Sequence, residues 1–354
     1  MNHVSSKKSA ATTVTAQDLF DKLQHIKMGG TVCHFSLKKC AELVPAINEI
    51  NQLKIDKNAV ILAHSYVSPE IVYGVADFVG DSYQLSKDAV STTAKIIVFA
   101  AVRFMGETAQ ILNPKKKVLI PASLDGCTLA DSINAAQVRD LRKKFFDYTF
   151  VCYINTTAEV KAECDVCVTS ANVYDVVARI ENNKIYFLPD KFMGKNLIAE
   201  MKVRKVKKDI RYYEGTCYVH EEYTPEQIQQ IRLEYPKVKV VSHPECRPEV
   251  IQNSDFVGST AQMLEYMLKE KSGKEFLMLT ECGLSSRLQV EMPHKRLVGS
   301  CTLCRYMKSN TLTDILRVLK NPTQKDLVIL DEAVRLKALK CIEAMFTYTE
   351  RKSS

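Results

Sequence analysis

The sequence predicts an α/β protein made of three small α/β domains that are related by pseudo-threefold symmetry. Three segments align, each an apolar run that ends in a polar residue, and these residues are His64, Tyr153 and His243, spaced 89 and 90 residues apart. A second apolar run follows in each copy, in the sequences AKIIVFAAV, NKIYFL and KEFLML. Apolar runs that alternate with segments of helical spacing are typical of small parallel sheets with right-handed crossovers.

Further polar residues recur in every copy. The first polar residue is followed by a Glu, then an Asp, then a hydroxyl residue, at Glu70, Glu159 and Glu249, at Asp77, Asp165 and Asp255, and at Ser82, Ser170 and Thr260. We interpret each apolar run as a buried strand, the Glu segment as a helix, and the hydroxyl residue as the start of another helix. Ligands bind at the carboxyl ends of strands in such sheets, so we expect the functional side chains there.

The repeat also predicts the division of the chain. We expect a flexible tail over 1–16, a helical segment over 17–55, α/β repeats over 56–145, 146–235 and 236–322, and a capping helix over 323–354. The apolar stretch 96–102 is far shorter than the roughly 18 residues of a membrane span, and the N-terminus has no apolar signal core. We therefore expect a cytoplasmic protein with no membrane partner. Its twelve cysteines are then expected as ligands, catalysts or core residues rather than as disulfides.

The net charge of +8 admits nucleic acid or anionic metabolites as partners. The densest basic run, residues 201–211, holds six Lys and Arg residues without interleaved aromatic side chains. Because single-stranded nucleic acids bind to aromatic stacking platforms as well as to basic grooves, we interpret this run as a solvated edge or loop and expect no nucleic-acid partner.

One cysteine of each copy falls at nearly the same place. Cys127, Cys217 and Cys304 follow the polar strand ends by 63, 64 and 61 residues. Equivalent positions near a pseudo-threefold axis converge, so three thiolates are expected to meet, unless these are merely aligned core cysteines. A three-thiolate site suits a zinc ion with a further ligand or a 4Fe-4S cluster with one open iron.

Two other hypotheses come from different features. The pairs Cys301/Cys304 and Cys164/Cys167 have the C-x-x-C spacing of a zinc or thiol-redox protein. Alternatively, an iron-sulfur regulatory protein would bind nucleic acid through the basic run at 201–211. The first leaves Cys127 and Cys217 without a role.

Several motifs together resemble the quinolinate synthase family over about residues 55–320. They are AHSYVSPEI, ADFVGDS, FMGETAQILNP, DGCTLAD, YINTTAEVKAECDVCVTSAN, FLPDK, EGTCYVHEEYTPEQI, SHPEC, VGSTAQM, LTE and CRYM. The resemblance implies condensation of iminoaspartate with dihydroxyacetone phosphate to quinolinate, phosphate and water in de novo NAD biosynthesis. It also implies a 4Fe-4S cluster at the central axis, an aspartate oxidase or dehydrogenase that supplies iminoaspartate, iron-sulfur assembly proteins as partners, and sensitivity to oxygen.

The resemblance implies roles for individual residues. The cluster ligands would be Cys127, Cys217 and Cys304. Cys301 would be a neighbour able to form a disulfide without touching iron, and Cys164 and Cys167 would be structural. Glu245 is the candidate general base, and His64, His220 and His243 are expected to titrate near neutral pH. The other site residues implied are Tyr66, Tyr153, Asn155, Asp81, Ser82, Ser170, Ser259 and Thr260.

Overall fold

The structure is a computed structural model that describes residues 13–27, 34–271 and 273–350. Residues 1–12 of the predicted tail lie outside the described residues. Two helices, α1 (Ala16–Leu23) and α2 (Leu37–Asp56), precede the first sheet and pack against each other. Thr15 begins α1 with a capping box, in which its side chain accepts the Asp18 N–H and the Asp18 carboxylate accepts the Thr15 N–H.

The first sheet contains β1 (Ala59–His64), β2 (Phe78–Gly80), β3 (Ile96–Ala100) and β4 (Lys117–Leu119). Its helices are α3 (Pro69–Gly74), α4 (Ser82–Ser91) and α5 (Arg103–Leu112). A 3-10 helix (Ala130–Ser132) and α6 (Ala135–Lys144) lead to the second sheet.

The second sheet contains β5 (Thr149–Tyr153), β6 (Val166–Val168), β7 (Lys184–Leu188) and β8 (Asp209–Tyr212). Its helices are α7 (Ala158–Ala162), α8 (Val173–Arg179), α9 (Lys191–Val203), α10 (Tyr218–Glu221) and α11 (Pro225–Glu234). The basic run at 201–211 covers the end of α9 and the edge strand β8. This agrees with its interpretation as an edge.

The third sheet contains β9 (Lys239–Ser242), β10 (Phe256–Val257), β11 (Glu275–Leu279) and β12 (Arg296–Leu297). The helices α12 (Pro248–Gln252), α13 (Thr260–Lys269), α14 (Cys282–Glu291), α15 (Arg305–Lys308) and α16 (Leu312–Lys320) follow in the same part of the chain. The last helix, α17 (Glu332–Glu350), packs against α7, α8 and β6 beside the second sheet.

All three sheets have the same topology. Their strand orders are β2-β1-β3-β4, β6-β5-β7-β8 and β10-β9-β11-β12, and every pairing is parallel. The predicted fold class, three repeated α/β units with small parallel sheets, is confirmed. The repeat boundaries given above remain a prediction. Among the described residues, no helix combines the length and apolar character needed to cross a bilayer.

The repeated Asp residues have a structural task. Asp77, Asp165 and Asp255 each accept a backbone N–H near the start of the first strand of their sheet, from Ile61 at 2.8 Å, Phe150 at 2.7 Å and Val240 at 2.9 Å. The repeated Glu residues lie in the first turns of α3, α7 and α12, where a carboxylate interacts favourably with the helix dipole. Much of the repeated polar pattern therefore stabilises the fold.

The expected helix starts need a correction of detail. Ser82 and Thr260 are the first residues of α4 and α13, but the capping side chains belong to Asp81 and Ser259, one residue earlier. In the second copy the helix begins later, after Asn172, so Ser170 precedes it. The hydroxyls of Ser82 and Thr260 are consequently not the groups that cap these helices.

Candidate active site

The predicted site residues come together in one cavity at the carboxyl ends of the strands. The first strand of each sheet ends at His64, at Tyr153 and at Ser242, which directly precedes His243. Every predicted site residue except Ser259 lines this cavity, namely His64, Tyr66, Asp81, Ser82, Cys127, Tyr153, Asn155, Ser170, Cys217, His220, His243, Glu245, Thr260 and Cys304. Each sheet directs the carboxyl ends of its parallel strands to one edge, and residues at this edge of all three sheets line the cavity.

Glu245 lies at the centre of a hydrogen-bond network in the cavity. Tyr153 donates its hydroxyl to Glu245 Oε1 at 2.7 Å, and His220 Nδ1 lies 3.0 Å from Glu245 Oε2. Burial opposes ionisation of this carboxyl, but His220, His243 and the Tyr153 hydroxyl together lower its pKa to about 2. Glu245 is therefore a carboxylate at neutral pH. Both of its donors belong to the part of the chain that forms the second sheet and its helices, whereas Glu245 itself follows the first strand of the third sheet.

His64 and His243 have equivalent surroundings. Nδ1 of each accepts the backbone N–H two residues later, from Tyr66 at 3.2 Å and from Glu245 at 3.4 Å. Nε2 then carries the proton of the neutral ring. Burial, with smaller contributions from neighbouring cationic or imidazole groups, lowers the pKa of both side chains to about 3. The expectation that they titrate near neutral pH is wrong for these two histidines.

Thr280, which follows β11, is a site residue that the sequence did not reveal. Its hydroxyl lies 2.6 Å from the Tyr66 hydroxyl and 3.1 Å from His220 Nε2. It thereby links the side chain of Tyr66 to the His220–Glu245 pair. The only available signal was its place at the end of a strand, within the LTE motif.

The three cysteines of the repeat have equivalent local environments. Cys217 and Cys304 are the residues immediately before α10 and α15, and Cys127 precedes the 3-10 helix. Each sulfur accepts backbone N–H groups from the second and third residues after it, which are Leu129 and Ala130, Val219 and His220, and Tyr306 and Met307. Such N–H donors stabilise negative charge on sulfur.

As long as the thiols are protonated, burial affects their pKa values more than these N–H donors do. It raises the pKa of Cys127 to about 12, that of Cys217 well above its ordinary value, and that of Cys304 as well. A bound metal would supply the missing positive charge and deprotonate the thiols. These buried thiols thus have the chemistry of metal ligands.

The spacing of the sulfurs distinguishes between kinds of metal. Among the described residues, one group of three potential ligand atoms is this compact. It consists of atoms of Cys217, His220 and Glu245, which all lie within 4.8 Å of one another. Sulfurs on one tetrahedral zinc ion lie about 3.8 Å apart, given Zn–S bonds of about 2.3 Å. The sulfurs of Cys127, Cys217 and Cys304 do not all lie within 4.8 Å of one another, so they are spaced more widely than the sulfurs on a single zinc ion.

Cys301 is not paired with its sequence neighbour. It forms a disulfide with Cys282, the first residue of α14, with a Cα–Cα distance of 5.2 Å. The expectation that the cysteines would not form disulfides is therefore wrong at this pair. Because Cys301 has no thiol, the hypothesis of a C-x-x-C zinc or redox pair with Cys304 loses its basis in this structure. Cys164 and Cys167 are free.

Glu281 is a second residue that the sequence analysis missed. This fully buried carboxylate accepts the N–H of Cys304 at 3.0 Å and lies 3.1 Å from the ammonium of Lys308. Lys308 also donates to the carbonyl oxygen of Tyr66. The Glu281 side chain thus joins the Cys304 turn to the first repeat.

The hydroxyl residues differ in how their side chains are used. Ser259 is buried and caps α13 by accepting the Gln262 N–H, so it supports the site from outside the cavity. Thr260 lines the cavity, and its buried hydroxyl has no hydrogen-bond partner in the part of the chain that the structure describes. A buried unpaired hydroxyl at a cavity wall is typical of a ligand-binding position, since burial without a partner costs free energy.

Fold and cavity together define a pseudo-threefold α/β enzyme whose buried polar site is shared among all three sheets. The family model described as "Quinolinate synthetase A protein" matches residues 48–347. Quinolinate synthase of Aquifex aeolicus is 44% identical over 304 residues, covering 84% of this chain and 92% of that protein. The Sinorhizobium fredii quinolinate synthase is 41% identical over 305 residues, covering 86% and 83%. The chain belongs to the quinolinate synthase family.

Proposed function

We propose that this enzyme condenses iminoaspartate with dihydroxyacetone phosphate to form quinolinate, phosphate and water in NAD biosynthesis. The observation that carries the proposal is the convergence of three repeat-equivalent thiols and the Glu245 carboxylate on one cavity. The names of its relatives point to the same product.

Cys127, Cys217 and Cys304 would hold a 4Fe-4S cluster. Their sulfurs fit it because each receives two backbone N–H groups and because their spacing exceeds that of a mononuclear site. When bound, the cluster supplies a Lewis-acidic iron without a protein ligand, which polarises a substrate oxygen and assists the loss of hydroxide. We also propose that the enzyme is cytoplasmic and loses activity in air.

Substrate anions would be bound by neutral donors. No Lys or Arg is among the described residues that line the cavity. The unpaired hydroxyl of Thr260, with Ser82 and Ser170 of the other repeats, offers donors for phosphate or carboxylate oxygens. Ser82 and Thr260 also begin helices, where free backbone N–H groups favour anions.

Glu245 would accept the protons that condensation removes from carbon. With a pKa of about 2 it is a weak base as long as Tyr153 and His220 both donate to it. A substrate that draws either donor away would raise its proton affinity toward the range useful at neutral pH. Tyr153 and His220 therefore tune the base and can return protons to leaving groups.

His64 and His243 would act as neutral hydrogen-bond donors through Nε2. Because both pKa values are near 3, neither ring changes charge during a cycle at neutral pH. Tyr66, held by Thr280, and Asn155 would orient the intermediates. An aspartate oxidase or dehydrogenase would supply the iminoaspartate, and assembly proteins the cluster.

The direct test measures quinolinate, by chromatography and mass spectrometry, from anaerobically purified protein given dihydroxyacetone phosphate and freshly generated iminoaspartate. Wild-type protein should form quinolinate, and Glu245→Gln should retain iron but lose most of the activity. Iron-replete wild-type protein that forms no quinolinate would contradict the proposal.

A further inference from the structure

A second group of cysteines lies outside the active-site cavity. The thiol cluster, as we call it, consists of the free cysteines Cys152, Cys164, Cys167 and Cys341. Cys152 in β5 and Cys167 in β6 are paired in register on neighbouring strands, Cys164 precedes β6, and Cys341 comes from α17. All four are buried, and Cys164, which is 8% exposed, is the outermost.

Cys152 lies at the centre of this group. Its Sγ is 3.6 Å from Sγ of Cys341, and the thiols of Cys164 and Cys167 are close enough to influence its pKa. No three of these sulfurs lie within 4.8 Å of one another, in contrast to the close set found in the active-site cavity. This spacing is too wide for three of these sulfurs to bind one metal ion together.

The surroundings favour reactivity at Cys152. Burial opposes ionisation, but the three neighbouring thiols and the positive charge of Lys161 outweigh it, so the pKa of Cys152 is held well below its ordinary value. Lys161 is fully buried and donates to two backbone carbonyls, those of Ile154 and Thr156. A thiolate is the nucleophilic form of cysteine.

We propose that Cys152 and Cys341 are an oxidisable pair, which a peroxide converts to a disulfide that fastens α17 to the second sheet. In the first step a sulfur attacks the peroxide, so that an S–O bond forms, the O–O bond breaks, and water leaves after protonation. The second sulfur then attacks the sulfenic acid, so that the S–S bond forms, the S–O bond breaks, and a second water leaves. The two thiols together lose two electrons to the peroxide.

The geometry selects this pair among the four thiols. The sulfurs of Cys152 and Cys341 are already in contact, so a modest movement brings them to the roughly 2.05 Å of a disulfide. Hydrogen peroxide is small enough to enter through local opening near Cys164. The inference does not depend on the proposed reaction, because none of these thiols lines the active-site cavity.

The disulfide would connect distant parts of the chain. Cys152 and Cys341 are 189 residues apart in sequence, so the cross-link would constrain the unfolded chain strongly. The helix is otherwise held at its end by hydrogen bonds such as Asn172 Nδ2 to Thr349 Oγ1 and Arg179 to the Tyr348 carbonyl. Because Cys152 directly precedes Tyr153, the cross-link would also restrain the strand that presents this active-site hydroxyl.

Tryptic peptide mapping can identify the bond without ambiguity. Cleavage after Lys and Arg places Cys152 in peptide 145–161, Cys164 and Cys167 in peptide 162–179, and Cys341 in peptide 341–351. Anaerobically purified full-length protein is exposed to hydrogen peroxide, its remaining thiols are alkylated, and the digest is analysed without reduction. The expected product is peptide 145–161 linked to peptide 341–351, together with a thermal unfolding midpoint several degrees above that of the reduced protein.

Variants separate this pair from the other thiols. In Cys341→Ser the linked peptide and the oxidation-dependent rise of the midpoint should both be lost, whereas Cys40→Ser, which removes another fully buried free thiol, should leave both unchanged. If Cys341→Ser does not fold, Cys341→Ala can replace it. The peptide map of the oxidised wild-type protein also tests the proposal by itself, because it shows whether peptide 145–161 is linked to peptide 341–351. Recovery of Cys152 and Cys341 in separate alkylated peptides, or a link from Cys152 to peptide 162–179, would overturn the proposal.

Discussion

The carboxylate of Glu281 accepts the main-chain N–H of Cys304 at 3.0 Å while forming a 3.1 Å ion pair with Lys308. This relationship joins the end of the central strand β11 to the turn that presents one of the three repeat-equivalent thiols. Glu281 is followed by Cys282, whose disulfide with Cys301 is a second link between this part of the chain and the turn that contains Cys304. The position of Cys304 is therefore fixed by a buried charge pair and a covalent bond.

Replacing Glu281 should weaken this turn. Glu281→Ala leaves the largely buried Lys308 ammonium without its counter-ion, which should cost roughly 3–5 kcal/mol of unfolding free energy. Denaturant unfolding and iron content per chain measure the effect, and we expect both to fall. Glu265→Gln breaks the exposed pair with Lys269 and should change stability by less than about 0.5 kcal/mol. Wild-type iron content and stability in Glu281→Ala would show that the pair is unimportant.

We expect the cysteine variants to differ in whether they retain the cluster. Cys127→Ser, Cys217→Ser and Cys304→Ser should each lose the cluster, because a hydroxyl replaces one of three thiolates. Cys301→Ser should retain it, because Cys301 is not a ligand and Glu281 still holds the Cys304 turn after the disulfide to Cys282 is removed. Visible absorption and iron analysis of anaerobic protein measure cluster retention, with the buried free thiol variant Cys246→Ser as control. A colourless Cys301→Ser protein would contradict the ligand assignment.

Removing one donor from Glu245 should alter both rate and pH dependence. Tyr153→Phe deletes the 2.7 Å hydrogen bond that helps to hold the pKa of Glu245 near 2, so this pKa should rise. We expect kcat to fall by roughly 10²-fold and its acidic limb to move to higher pH. Tyr266→Phe, in which the ring stacks on Phe256 outside the cavity, is the matched control. An unchanged pH profile with reduced kcat would indicate a structural role only.

Stability should fall as the pH is lowered below neutrality. His64 and His243 have folded-state pKa values near 3 against an ordinary value of 6.5, because burial penalises the charged ring. Between these values the unfolded chain binds protons that the folded chain does not, so acid favours unfolding. The maximum loss is about 3 kcal/mol per histidine from about pH 6.5 to about pH 4.5.

Thermal unfolding midpoints over this pH range test the effect. His243→Gln should flatten the dependence, whereas His294→Gln, at an exposed position, should leave it unchanged. A His243→Gln profile as steep as that of the wild-type protein would mean that His243 already titrates normally in the folded state.

The sequence by itself determined the architecture and most of the cavity. The spacing of His64, Tyr153 and His243 revealed three copies of one unit, and in each copy such a residue lies at the carboxyl end of a parallel strand, the edge of a sheet where ligands bind. Local chemistry within a copy, such as the place of each repeated cysteine, was equally visible because it recurs at a fixed interval. A repeat therefore reports on tertiary proximity even when the residues are far apart in the chain.

Only the tertiary structure decided the contacts between residues that no repeat relates. Cys301 could not be assigned to Cys282 rather than Cys304 from spacing, since the partner is selected by the meeting of α14 with the turn before α15. The same holds for Thr280 with His220, for Glu281 with Lys308, and for Cys341 with Cys152. The low pKa values of His64 and His243 likewise follow from burial, which depends on everything packed around them.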